Sequence, residues 1–197
     1  MDDETVAVYD AKFQDYADLV KTSKPSASLL RFINAVSQGG RVLDLGCGPG
    51  AASKTMAVSG LQVTALDASE GMISLVREIP NVTAVQADFS WLNQSNAYEG
   101  VWANFALLHA SREDFATYLD AIVEALSPNG ILHLGMKTGA GEKRDTLGRR
   151  YAYFTRSEFE MMLLERDFEI LHVKEGEDMS LAGEMDPFVM ILARRLV

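Results

Sequence analysis

Scarcity is the first feature of this sequence: one cysteine, five prolines and too few positive charges to balance the negative ones. Cys47 alone excludes an internal disulfide and a cysteine-rich zinc site, and no metal site is expected. Lys and Arg number 18 against 28 Asp and Glu, a net charge of −10. Nucleic-acid binding needs a basic surface that displaces counterions from phosphates. The only dense basic cluster, Lys143, Arg144, Arg149 and Arg150, is interrupted by Asp145. No apolar run approaches the ~20 residues that cross a bilayer. The opening MDDETVAVYD is acidic and lacks the basic-then-apolar order of a secretion signal. The expectation is a cytoplasmic monomer or homodimer with no nucleic-acid or membrane partner. The balance of 48% hydrophobic to 23% charged residues excludes a disordered chain.

Short β-branched and apolar runs alternate with amphipathic stretches, the pattern of a parallel α/β sheet. Two helices come first, one carrying Tyr9, Phe13 and Tyr16, the other starting near Pro25 and stopping at Gly39-Gly40. Strands are expected at 41–45, 62–67, 82–88, 101–105, 131–136, 169–173 and 188–193. A helix over 51–58 and a Ser69-capped helix to about Ile79 separate the first three. Capping-box patterns at Ser111-Arg-Glu-Asp114 and Thr155-Arg-Ser-Glu158 open two more. The fold expected is one α/β domain, a Rossmann-like doubly wound sheet of seven strands, mostly parallel with the last antiparallel, and helices on both faces. Within 1–197, residues 1–38 form a helical partial lid, 39–136 the binding core, and 137–197 a lid loop and the final strands. Such sheets bind ligands beyond the carboxyl ends of their strands, where strand order reverses.

The stretch Val42-Leu-Asp-Leu-Gly-Cys-Gly-Pro-Gly50 is the most informative. Gly46 permits a sharp turn off the strand, Gly48 lets a ligand press on the backbone, and Gly50 opens the helix. Gly46-x-Gly48-x-x-Ala51 also satisfies the dinucleotide fingerprint, with Asp67 placed as a ribose-binding acid, so spacing alone leaves an NAD-binding oxidoreductase open. Three details favour a cationic ligand. Asp44, on the same strand face as Gly46, would repel a pyrophosphate but suits an ammonium group. Pro49 removes a backbone N–H that would cradle phosphate. No Lys or Arg lies between Arg41 and Lys54.

VLDLGCGPG, followed by VTALDASEGM and VQADF, closely resembles the class I S-adenosylmethionine (SAM)-dependent methyltransferases. Lys137-x-Gly-x-Gly-Glu142 is similar to small bacterial-type members of unassigned substrate. The resemblance implies SAM as cofactor and S-adenosylhomocysteine as product. It puts the turn Gly46, Cys47, Gly48 and Gly50 under the methionine moiety, with Cys47 a packing residue. Asp67 would accept the ribose hydroxyls. Ala68, Met72, Asp88 and Phe89 would surround the adenine, and Asn104 would lie near the methionine moiety. Tyr16 would close over the cofactor from the N-terminal helix.

The acceptor pocket is expected where strands four and five end. His109 is the candidate general base, with Leu108, Lys137, Arg149 and Tyr151 as acceptor contacts, and 137–154 as a mobile lid. Nucleic-acid amino-methylating enzymes resemble [DNS]-P-P-[YF] after strand four, whereas this chain reads Asn104-Phe-Ala-Leu. That favours methyl transfer to a small molecule. An aminopropyltransferase and a non-catalytic SAM-binding sensor or partner protein share the fold and stay open.

Overall fold

The computed structural model describes residues 2–20, 24–179, 183 and 185–196, without the side chains of 19 and 20. Its centre is a seven-stranded sheet in the order β3-β2-β1-β4-β5-β9-β8. β1 (Arg41–Leu45) pairs in parallel with β2 (Gln62–Asp67) on one side and β4 (Tyr98–Asn104) on the other. β3 (Val82–Gln86) extends the sheet from β2, and β5 (Leu126–Lys137) from β4. Strand order therefore reverses between β1 and β4, and the glycine turn after β1 lies at that switch point. β9 (Met185–Arg195) runs antiparallel between β5 and β8 (Phe168–Met179), so one strand of the seven is antiparallel as expected.

Helices cover both faces, which is why β1 reads as a continuous buried run rather than an alternating one. Leu43 and Leu45 enter the core shared with α5 (Arg112–Ala125) and α6 (Arg156–Leu164). Val42 and Trp102 face the opposite cluster with Phe32 of α2 (Ala27–Ala35) and Met56 of α3 (Ala51–Val58). α4 (Glu70–Val76) starts where Ser69 Oγ accepts the Met72 N–H, and α6 has the reciprocal capping box of Thr155 and Glu158.

Four expectations are corrected. β4 begins at Tyr98, three residues early, and β5 pairs Leu126 with Tyr98 before bulging and re-pairing Ile131 with Gly100. Pro128-Asn-Gly130 therefore bulges a strand as well as ending a helix. The last two strands run 12 and 11 residues, far beyond the expected 169–173 and 188–193. The outer half of β8 is charged and mostly exposed, so burial periodicity never marked it. Residues 180–182 and 184 between them lie outside the described residues.

The fourth correction concerns the expected lid loop at 137–154. It contains a hairpin, β6 (Glu142–Arg144) with β7 (Arg150–Ala152). Asp145 pins the turn: its carboxylate accepts the N–H groups of Leu147 and Arg149 at 3.0 Å and the Arg149 guanidinium at 2.9 and 2.6 Å. Gly148 N–H closes the turn on Asp145 O at 3.0 Å. Asp at the first position and Gly at the fourth is a type I turn signal that could have revealed it.

The Arg149 and Asp145 side chains are 3% and 5% exposed, so each neutralises a charge water cannot reach. Arg149→Met should destabilise the protein by about 3–5 kcal/mol, because it strands a buried carboxylate. The double variant Arg149→Met/Asp145→Asn, which keeps the turn acceptor but removes the charge, should recover much of that loss. Urea unfolding of the three proteins checks both statements.

Candidate active site

The turn after β1 is tied down by β2. Gly46 and Cys47 both donate their N–H groups to Leu66 O, at 2.8 and 2.9 Å, and Gly48 N–H donates to Asp67 Oδ2 at 2.9 Å. The glycines serve different needs. A Cβ on Gly46 would sit 2.3 Å from the Ala106 Cβ, and one on Gly50 2.5 Å from Ile79 Cδ1. A Cβ on Gly48 would meet nothing within 4 Å, although its φ of +53° is left-handed. Gly48 faces a cavity of about 210 Å³ at the carboxyl ends of β1, β2 and β4.

Asp44 and Asp67 line this cavity, and among the described residues no Lys or Arg does. Asp44 is 2% exposed. It accepts from Ser53 Oγ in the first turn of α3 at 2.5 Å, and the Ser53 backbone N–H also favours its charged form. Burial, with a smaller push from Asp67, raises its pKa to about 7. Burial also raises Asp67, against the opposing hydrogen bonds from the Ser69 and Gly48 N–H groups. The Cys47 thiol is buried and pushed upward, so it has no thiolate character.

Asn104 ends β4 with its side chain against β5. His133 stacks on Trp102, ring centroids 3.7 Å apart, and burial lowers its pKa to about 3. This neutral ring donates from Nε2 to Asn104 Oδ1 at 3.0 Å, leaving the amide nitrogen as Asn104's donor. Gly135 is required beside it, since a Cβ there would lie 2.5 Å from the same oxygen.

α1 (Asp3–Val20) lies over the site with Tyr9 and Tyr16 lining the cavity. Tyr9 is the most consequential residue that sequence reasoning missed. Arg150 O can only accept, so the His109 Nδ1 at 2.7 Å carries the proton and Nε2 accepts from the Tyr9 hydroxyl at 2.8 Å. Arg149 Nη1 donates to the same hydroxyl at 3.2 Å. Burial lowers the His109 pKa to about 4, with Arg149 and Lys137 adding to the effect, so the ring is neutral near pH 7.

The cavity thus brings together Tyr16, Asp44, Gly46, Cys47, Gly48, Asp67, Met72, Phe89, Asn104 and His109. Trp102, Phe105 and Ala106 line it without having been expected. Gly50 packs beneath the turn, and Leu108 is buried in the core. Ala68 and Asp88 line a second cavity, about 400 Å³, with Asp3, Val6 and Asp10 of α1. Asp88 accepts from Ser90 N and Oγ, which hold its carboxyl below the usual range. Lys137, Arg149 and Tyr151 do not line the main cavity. Lys137 Nζ pairs with Asp186 at 2.5 Å and sits 4.0 Å above the Tyr151 ring, and that ring packs on His109.

A doubly wound sheet with one antiparallel strand inserted beside its edge, and a ligand cleft at the glycine turn, defines a Rossmann-like methyltransferase fold. Residues 42–130 match a family described as a methyltransferase domain. A trans-aconitate 2-methyltransferase of Methylobacterium nodulans is 30% identical over 145 residues, 72% of this chain and 54% of that one. A cypemycin N-terminal methyltransferase of a Streptomyces species is 32% identical over 136 residues, 65% of this chain and 56% of that one. The chain spans about half the length of these curated relatives. A Burkholderia thailandensis 1,6-didemethyltoxoflavin-N1-methyltransferase, solved with 1,6-didemethyltoxoflavin and S-adenosylhomocysteine, superposes with a TM-score of 0.76 at 20% identity. That superposition covers 98% of this chain and 88% of the other. In the family matched over residues 42–130, in its relatives and in its fold, the chain resembles the class I SAM-dependent methyltransferases.

Asp44 has a pH consequence. Its pKa in the folded protein lies above that of an unfolded aspartate, so folding favours the neutral acid, and Asp44 subtracts stability as pH rises from about 4 to 7. Asp44→Asn should leave thermal stability little changed near pH 4 and increasingly raise it towards pH 7. A melting series of both proteins over that range would check this, the difference reporting Asp44 together with its repulsion from Asp67.

Proposed function

We propose that this chain binds SAM across the glycine turn and transfers its methyl group to a small-molecule acceptor. The observation that carries the reading is Asp44: a buried carboxylate at the switch point of the sheet, bonded to Ser53 alone, in a cavity that no Lys or Arg among the described residues lines. An ammonium group supplies the missing charge, whereas a diphosphate would meet two carboxylates. The residues present fit the cofactor in other respects. Asp67 keeps lone pairs beyond its bonds to Gly48 and Ser69 for ribose hydroxyls, and the Asn104 amide nitrogen is a donor for a carboxylate. Met72 and Phe89 offer apolar surface for the base, and open space over Gly48 lets the ligand reach the backbone.

Bound SAM supplies an electrophilic methyl group on a sulfonium. The acceptor heteroatom bonds to that carbon as the carbon–sulfur bond breaks, and the electron pair of that bond stays on sulfur. What the chain contributes is position and exclusion of water. Ribose is held at Asp67, the amino-acid end at Asp44 and Asn104, and the acceptor at the His109 end. An acceptor that starts protonated gives its proton to His109 Nε2 once the Tyr9 hydroxyl has left that lone pair.

The cavity is smaller than the roughly 300–1,000 Å³ usual for small-molecule sites. α1 separates it from the second cavity, where Ala68 and Asp88 wait on the adenine side. Cofactor entry therefore involves outward movement of α1, whose only buried residue among those described is Thr5. The relatives' names offer trans-aconitate and a peptide N-terminus as first acceptors to try.

Calorimetric titration tests the reading. SAM should bind and NAD should not; micromolar NAD binding without SAM binding would overturn it. Asp67→Ala should weaken SAM by about tenfold or more, the loss of hydrogen bonds to a charged group. SAM affinity should also rise with pH up to about 7 and then level, because the ammonium group requires the Asp44 carboxylate and binding below that pH expels its proton. In Asp44→Asn that rise should vanish.

A further inference from the structure

We propose that the acceptor is a flat, uncharged aromatic molecule seated against the Phe105 ring, and that Phe105 is a specificity-determining residue of the site. The inference rests on the methyltransferase reading of the same cavity and deepens it.

The backbone gives the first reason. Among the described residues, five positions other than glycine have positive φ: Asn81, Asn96, Phe105, Asn129 and Asp167. Four are Asn or Asp, the types that tolerate the left-handed region through their short polar side chains. The fifth is a phenylalanine at φ +57°, where a bulky residue is strained. Its N–H donates to Gly135 O at 2.8 Å, so β5 holds the strained conformation in place. Phe105 is also the only one of the five that lines the cavity. An Asn there would relieve the backbone, so the ring is what the strain retains.

Its surroundings supply the second reason. The ring is half-buried and meets Phe188 of β9 edge-on, with centroids 5.9 Å apart. Tyr9 and neutral His109 line the same cavity. An aromatic ligand in this cavity would have several rings to pack against, by edge or by face.

Charge supplies the third. Lys137 is the strand partner of Phe188 and the nearest cation by topology, yet it is neutralised by Asp186. Arg149 is neutralised by Asp145. Of the titratable groups that line the cavity, Tyr9, Tyr16, Cys47 and His109 are neutral near pH 7, and the two carboxylates are the only ones that can carry charge there. A polycarboxylate would find no unpaired cation among the described residues that line this cavity, so its loss of water would go uncompensated by the protein. An uncharged ring meets no such barrier.

Ligand-observed NMR on the full chain saturated with S-adenosylhomocysteine tests the proposal. The probes are catechol, 8-hydroxyquinoline and indole against trans-aconitate. At least one aromatic probe should bind with a dissociation constant of about 1 mM or tighter, and trans-aconitate more weakly than that probe. Phe105→Asn should fold at least as stably as the parent and weaken the aromatic probe by about fivefold, and Phe105→Tyr should restore it. S-adenosylhomocysteine affinity should be the same in all three proteins. Tighter binding of trans-aconitate than of every aromatic probe would overturn the proposal. So would the absence of aromatic binding, or unchanged affinity in Phe105→Asn. Failure of S-adenosylhomocysteine to bind the parent protein would instead sink the methyltransferase reading beneath it.

Discussion

A carboxylate at the end of β2 fixes the shape of the whole cleft. Asp67 reaches from β2 to the Gly48 N–H with one oxygen and holds the entry to α4 at Ser69 with the other. Leu66 O takes two further N–H groups of the same turn. The chain between β1 and α3 is thereby clamped to its neighbour before any ligand arrives, and a ligand meets a surface whose ordering cost lies in folding rather than binding. The remaining groups follow from that clamp. Gly46 can approach Ala106 closely only in this geometry, which brings the segment after β4 beside the turn. Asn104, Phe105 and His109 on that segment then stand across the cleft from Asp44 and Asp67.

The electrostatics of the cleft are asymmetric, and the asymmetry has a structural source. The positive groups near the acceptor end are consumed internally, Arg149 by Asp145 and Lys137 by Asp186, while the acids at the cofactor end are not. Burial without a counter-charge raises Asp44 and Asp67, and burial beside those internal cations lowers His109. A site in this condition is poised for a cation at one end and a neutral molecule at the other. The same low-dielectric setting strengthens any hydrogen bond a ligand makes there.

The sequence made the centre of the fold legible because there local chemistry and tertiary role coincide. Gly46, Gly48 and Gly50 each do something no larger residue can, and Asp44 and Asp67 sit at strand ends whose buried apolar runs mark them. Legibility failed where a role depends on a distant partner. Nothing around Tyr9 announces a hydroxyl that meets an imidazole 100 residues away. Arg149 reads as an exposed anion binder because its partner's burial is invisible in one dimension. Ala68 and Asp88 follow the adenine pattern, yet α1 puts them in a separate cavity. Phe105 was hidden for another reason: a positive φ on phenylalanine contradicts local preference, and only tertiary contacts enforce it.

α1 joins these observations. It docks largely through polar contacts rather than buried apolar surface. Thr5 Oγ1 accepts from Arg150 N at 2.9 Å, Asp2 takes the Arg144 guanidinium at 2.9 and 2.7 Å, and Asp10 accepts from Ser69 Oγ at 2.6 Å. A helix with one buried residue and many solvent-accessible bonds belongs to the least stable part of a fold. Three of its anchors, Arg144, Arg149 and Arg150, are on the β6–β7 hairpin or its turn, whose own geometry is locked by the buried Asp145–Arg149 pair. Of the two, the hairpin is the better anchored and α1 the easier to displace. α1 lines both cavities, and under the proposed function its outward movement would open them together and free the His109 Nε2 lone pair from the Tyr9 hydroxyl. On that reading, one tyrosine hydroxyl would couple access to the cofactor site with the availability of a proton acceptor.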